Sequence, residues 1–550
     1  MSERDPEIPE TPDAPGSPDA PERPDAPESP DAPEPAVEAS SPAATDVESA
    51  VRDREESARA ARAAAGRAAR LGLRLVGGAA GAGALALVVL AAGLLPLPEL
   101  RAEPVGEEIV PVAAPQQRVC TGSALRLGDE SGQDAGTASP IGRPAADDAA
   151  EGGQLERRAL GGGGPSSPQL LSLDAGADAL LSGAQSQEVE SSDIDGLAAS
   201  ACGEPTSSAW IAAGATTVGR TSLLVLDNPT EVEATVDLRI WGEAGEVSAA
   251  GLRGIVVAPG DRRVLPLAGF ARDVASPVLH VQASGGQVVP VLQQSTLRAV
   301  DPGGLEVTGE STAPATEQVI PGIAVAAVES TQRALGRDGY DDLETVVRIG
   351  VPGDEDATVQ LSVLPVEGSD GVVGDGEGGG AGGSASQIEV RAGTTLDVPL
   401  EELGSGRYTV ALSSDQPIVA GARSATATAV ASGDALAAPV SDFAWFPAAA
   451  PLEGPVLVTA ADGPAPVLVL DSRDAEPRTV TLTDRETGEE QQVEVPAGGS
   501  AMRSLAPGGG VLLADADGIR ASVALVGDGR IAAYAVSPAN PVSGPIVIRP

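Results

Sequence analysis

Few residues in this chain could do chemistry, and their surroundings argue against most of it. The one histidine, His280, lies in VLHVQAS. Leu279 and Val281 mark that stretch as a strand, so the imidazole reads as structural or solvent-facing. A Ser–His–Asp triad would have to use this ring, and no GxSxG elbow accompanies it. GDGEGG, residues 374–379, has GxGxxG spacing. A dinucleotide site needs that turn between a strand and a helix, whereas VEGSDGVVGDGEGGGAGGSASQ reads as a flexible loop. Acids crowd RDGYDDLET (Asp338, Asp341, Asp342, Glu344) and LLADADGIR (Asp515, Asp517). Carboxylates at alternate positions can bind calcium, but the EF-hand pattern is missing, and Asp517-Gly518 reads as a hairpin turn. Residue type alone permits a paired-carboxylate glycosidase. Sugar sites lean on aromatic platforms, however, and the chain has only three each of Phe, Trp and Tyr. Trp210, Trp241 and Trp445 read as packing residues, with Trp210 and Trp445 opening equivalent units. No catalytic, cofactor-binding or metal-binding residue is assigned, no cofactor is expected, and the chain is read as a non-enzyme.

The cations narrow the choice further. Every basic residue is Arg, and there is no Lys. A P-loop and a Schiff base both need that amine, so both are excluded. The formal charge of −44 repels phosphate backbones and argues against nucleic acid as a partner. Cys120 and Cys202 form no CxxC motif, and with one histidine they cannot complete a zinc site. In an oxidising compartment they would pair as a disulfide.

These residues must be carried by the following elements. Residues 1–50 repeat PDAPGS, PDAPER, PDAPES and PDAPEP. Pro and repelling acids bury no core, so a disordered cytoplasmic tail is expected. Residues 51–74 predict an Arg-rich juxtamembrane helix. Residues 75–95, LVGGAAGAGALALVVLAAGLL, carry no charge. As a helix they span roughly 31 Å, the thickness of a bilayer core. Arg52, Arg54, Arg59, Arg62, Arg67, Arg70 and Arg74 precede this segment and mostly acids follow it. That asymmetry places the N-terminus inside and the C-terminal region outside. A cleaved signal peptide is the competing reading, but its n-region would be too long. The small residues Gly77 and Gly81 would permit close helix packing and hence a homodimer; composition bias explains them equally well.

Beyond the apolar segment, residues 96–205 read as β-containing, with a disordered insertion at 128–168. From residue 206 short strands alternate with Gly-bearing turns; in TVDLRIW, Val236, Leu238 and Ile240 face one way, and Asp237 and Arg239 the other. The phrase recurs with matching turns at Pro259-Gly260, Ala392-Gly393 and Ala497-Gly498. Three units follow: β-sandwich 1 at 206–312, β-sandwich 2 at 313–438 with the Gly-rich loop, and β-sandwich 3 at 439–550. The fold class is therefore mainly β: tandem immunoglobulin-like β-sandwich modules after a single transmembrane helix and a disordered N-terminal tail.

GLAASACGEP (196–205), Trp210, VGRTSLLVLDNP (218–229), the APG at 258–260, VLHVQASGGQVV (278–289), DPGG (301–304), VIPGIAV and the stretch from Asp415 to Gly421 together resemble an actinobacterial family of uncharacterised proteins, the domain of unknown function 5719. The resemblance covers most of residues 100–550. It implies an envelope-associated protein with a membrane anchor and brings no catalytic residues. The expected role is a non-enzymatic, membrane-anchored extracytoplasmic scaffold or binding module engaging an envelope protein or wall component. The alternatives are a regulatory subunit coupling a cytoplasmic partner to an envelope machine, and an extracytoplasmic hydrolase.

Overall fold

Val, Leu and Ile alternating with polar residues dictate strands, and strands dominate the chain. The computed structural model describes residues 107–109, 115–128, 136–161, 163–368, 384–428, 438–538 and 546–548. The residues expected to form the tail (1–50), the juxtamembrane helix (51–74) and the transmembrane helix (75–95, with Gly77 and Gly81), and the 374–379 stretch, lie outside these residues. Among the described residues no helix is long and apolar enough to cross a membrane. The TVDLRIW strand, Ala234–Gly242, buries Val236, Leu238 and Ile240 and exposes Asp237 and Arg239.

Sandwich 1 has eight main strands: Ser208–Ile211, Arg220–Asp227, Ala234–Gly242, Ile255–Val257, Arg262–Pro266, Val278–Gly285, Val289–Arg298 and Asp301–Thr308. The first, sixth, third and fourth form one sheet in that order; the fifth, second, seventh and eighth form the other. Sandwich 3 repeats this order from Val456–Thr459 to Arg530–Ala535. In sandwich 2 the sixth and seventh strands fuse into one 22-residue strand, Gly406–Ala427, whose first half serves one sheet and second half the other.

This order departs from the immunoglobulin arrangement, in which strands A, B, E and D share one sheet and C, F and G the other. The reason is the long ribbon of second–third and sixth–seventh strands, which crosses from sheet to sheet. One boundary also moves. Ser441–Pro447, expected to open sandwich 3, pairs with Gly421–Ala427 and closes sandwich 2. Trp445 therefore sits in a last strand and Trp210 in a first strand, and they are not equivalent.

The leading unit is an abbreviated copy. Gln116–Cys120 pairs with Gln169–Glu190, which also pairs with Ala145–Ala159 and with Asp195–Ala201. The stretch expected as a disordered insertion thus carries a 15-residue strand. Its Ala, Asp and Gly content hides it, because the ladder to an apolar neighbour overrides weak β-propensity. Cys120 and Cys202 are disulfide-bonded, within a small core that includes Leu171, Leu173 and Leu181.

The four units close into a ring within the compact region Pro104–Pro550. The core of sandwich 1 takes in Phe443 and Trp445 of sandwich 2, and that of sandwich 2 takes in Ile531 and Ala533 of sandwich 3. The core of sandwich 3 reaches Leu197 and Ala199 of the leading unit. Leu125, Val189 and Ala198 of the leading unit then pack on Leu223, Val291 and Leu305 of sandwich 1. The four last strands sit at the centre, each against its two neighbours.

The recurring turns fall at one place in the topology, just before the fifth strand. Gly260, Gly393 and Gly498 have φ of 69°, 67° and 60°. An added Cβ would meet nothing at Gly393 or Gly498, so only the backbone demands glycine. Gly393→Ala and Gly498→Ala should each destabilise by about 1–2 kcal/mol in urea unfolding. Unchanged midpoints would refute that role for these turns.

Candidate functional site

The last strands are sheet edges, and an edge strand carries backbone groups without a ladder partner. On the ring axis those groups meet one side chain. Asp442, fully buried, is the second residue of the last strand of sandwich 2. Its Oδ2 accepts the N–H groups of Leu197 (3.0 Å) and Ile531 (3.2 Å), and its Oδ1 those of Leu305 (3.2 Å) and Phe443 (3.0 Å). One donor comes from each unit. The residues preceding the donors are Gly196, Gly304, Asp442 and Arg530. The glycines make room: a Cβ at Gly196 would lie 2.7 Å from Asp442 Oδ1, and one at Gly304 3.0 Å. Arg530 turns away to Glu188 (2.9 Å) and Asp195 (2.5 Å).

Glu306, two residues along its strand from Gly304, is also fully buried. The N–H groups of Ala533, Trp445 and Val307 face its carboxyl without reaching hydrogen-bond geometry. Burial, followed by the nearby Asp442, pushes Glu306 well above the ordinary carboxylate range. Burial pushes Asp442 up to about 8, against the opposing pull of its backbone donors and Arg530. Four N–H donors favour the anion, but loss of water is the larger effect.

The axis opens where the last strands end. A cleft of about 330 Å³ is lined by the links that leave all four units, including Glu204, Glu310, Thr312, Ala448 and Ser537. It is at the small end of the range for ligand sites, and it lies where units meet. Trp210 and Ser208, from the first strand of sandwich 1, also line it. Arg118, itself buried, holds Glu204 at 3.0 Å. Glu310 has no ion pair among the described residues. Crowding by the protein and then the charge of Glu204 push its carboxyl up to about 7, Arg118 pulling the other way. Glu310 is nonetheless solvent-exposed at the mouth of the cleft, so neighbouring protein surrounds it without sealing it from water.

The anticipated residues scatter around this centre. His280 is half-buried and stacks on Trp210 at 4.2 Å, while Trp210 stacks on Trp241 at 5.3 Å. The Arg239 guanidinium lies 4.5 Å over Trp241. Burial and then Arg239 hold the His280 pKa below its usual value. His280 Nε2 is 3.0 Å from Ser208 Oγ. Among the described residues no carboxylate is hydrogen-bonded to its other nitrogen, so the pair lacks the orienting group of a triad. Asp342 is taken by Arg220 (3.0 Å) and Arg298 (2.7 Å). Asp517 Oδ1 accepts the Gly454 N–H (2.8 Å), and Gly518 forms the adjoining turn with φ of 80°. The described residues contain no group of three or more candidate metal ligands.

Sequence reasoning missed Asp442, Glu306, Glu204 and Glu310. For Asp442 and Glu306 the available signal was an isolated acid inside the apolar runs SDFAWFP and GGLEVT, which costs folding energy unless something answers it; Glu204 and Glu310 lie in links and left none.

A ring of four β units with a carboxylate-lined axial cleft defines a β-rich protein whose candidate site is a junction rather than a loop of one domain. The chain belongs to the family of unknown function DUF5719, which matches residues 162–506. No curated protein matches the chain.

Asp442, Glu306 and Glu310 bind their protons more tightly folded than unfolded. The stability linked to them is complete below the unfolded carboxyl pKa and is lost as pH rises through the folded values. Between the ordinary value of 3.8 and about 8, the wild type should therefore lose stability more steeply than Asp442→Asn. The difference in slope should approach about 1.4 kcal/mol per pH unit. Parallel profiles from urea melts across this range would contradict it.

Proposed function

We propose that the chain is a non-enzymatic, membrane-anchored extracytoplasmic protein of the cell envelope, which presents the axial cleft as its binding site. The single observation that carries the binding role is the convergence of links from all four units on one cleft that bears two carboxyl groups. Such a site is shaped by the whole ring, so a scaffold that holds its units rigidly also holds the site. The anchor rests on the uncharged stretch at 75–95 and its Arg-rich flank, which orient the β region outward. The Cys120–Cys202 disulfide supports an oxidising compartment. The lysine-free composition fits a GC-rich, actinobacterial source. The outward-facing partner would be an envelope protein or wall component.

The Ser208–His280 contact favours a second reading, an extracytoplasmic hydrolase with Ser208 as nucleophile. A fluorophosphonate probe separates the two: labelling at Ser208 that is lost in His280→Gln would support the hydrolase.

Proximity labelling from a tag at the C-terminus in intact cells should recover extracytoplasmic proteins or wall-linked material. Recovery of cytoplasmic proteins alone would overturn both the orientation and the envelope role.

A further inference from the structure

We infer that the axial cleft receives a primary ammonium group carried on a peptide side chain or an amino sugar. The inference rests on the binding reading above and names the chemistry of the ligand.

The lining decides the class. Among the described residues Glu204 and Glu310 are its charged groups and no Arg lines it; Thr206, Ser208, Ser311, Thr312 and Ser537 add hydroxyls. An anion would meet the Glu310 carboxylate, which has no ion pair among the described residues. Arg118, whose charge acts on Glu310, is committed to Glu204 and to the Leu181 carbonyl (3.3 Å). A wholly apolar guest would strip water from these polar groups and give nothing back. Calcium takes six to eight oxygens, several of them carboxylates, and the described residues offer no group of three candidate ligands. An ammonium has three donors and a compact charge. It can be met by one carboxylate and neighbouring hydroxyls while its carbon stem packs against the Trp210 indole and the Ala448 and Val536 side chains. Indole adds attraction for a cation.

Glu310 is the group left for the ligand. Glu204 already has Arg118, whereas the Glu310 charge is opposed by crowding and by Glu204. An arriving ammonium relieves both, so ligand binding and Glu310 ionisation reinforce each other. Affinity should then climb as pH rises through about 7.

The test is calorimetry on the full chain in detergent with four probes: Nα-acetyl-lysine amide, its Nε-acetylated form, glucosamine and N-acetylglucosamine. At neutral pH one of the two amines should bind, and which one does separates the peptide from the sugar source. Its acetylated counterpart should be at least about 10-fold weaker, the loss of one charge-assisted contact. Glu310→Gln should weaken the amine by about 10-fold without lowering the unfolding temperature, since it removes a carboxyl whose ionisation the fold opposes. If the lysyl probe is the one that binds, its affinity should rise between pH 6 and 8, where its ε-amine stays charged (roughly pKa 10.4), and should do so only with Glu310 present. Equal binding of the acetylated probes, indifference to Glu310→Gln, or no binding of either amine up to about 10 mM would each overturn the assignment. If the amines fail while proximity labelling still recovers an extracytoplasmic partner, the ammonium falls and the binding role stands.

Discussion

Four backbone N–H groups, one from each unit, end on the two oxygens of Asp442. The innermost strands need such an acceptor because edge donors buried on the axis lose water and have no ladder to join. A carboxylate is suited to this role, since two oxygens accept several N–H bonds at once. The cost is a carboxyl group held far from water, and Glu306 repeats that cost farther along the axis. Ring closure and buried acid are two sides of the same constraint.

Around this centre the seams between units are polar as well as apolar. Arg348, fully buried, bonds to Asp397 (2.8 Å) and reaches across to the Gly214 (2.7 Å) and Ala275 (3.0 Å) carbonyls of sandwich 1, with its guanidinium 4.4 Å over Trp445. At the seam between the leading unit and sandwich 1, Arg262 joins Asp227 (2.8 Å) and Thr121. Thr409 meets Ser500 (2.7 Å) where sandwich 2 meets sandwich 3, and Ser182 meets Thr459 (2.6 Å) where the ring closes. Directional bonds of this kind fix how each unit is rotated against the next, which burial of Val and Ala alone would leave loose. The mouth cleft inherits its shape from those rotations, because its walls are the links leaving each unit.

Much of the β architecture could be read from the chain. Strict alternation in TVDLRIW and the three Gly turns at 260, 393 and 498 each mark a structural position that the fold repeats. Ring closure could not be read, because it depends on contacts between residues hundreds of positions apart, such as Leu197 with Asp442. The strand at Ala145–Ala159 was hidden by a composition that suits a loop. The axial acids were hidden for the opposite reason. Asp442 and Glu306 are single acids inside apolar runs, a signal that marks a costly position without saying which distant groups answer it. The clustered acids at 338–344 drew attention and proved to include an ordinary ion-paired Asp342. The axial cleft had no sequence signature at all, since its lining comes one or two residues at a time from links in every unit.

The central claim is that one carboxyl group ties four units together, and amide hydrogen exchange tests it most directly. In Asp442→Leu, the amides of Leu197, Leu305, Phe443 and Ile531 should lose protection together, although three of them lie in other units, while amides such as Val236 and Val480 in the sandwich cores stay protected. If only Phe443 and its immediate neighbours exchange faster, Asp442 is a local cap and the ring is held by something else.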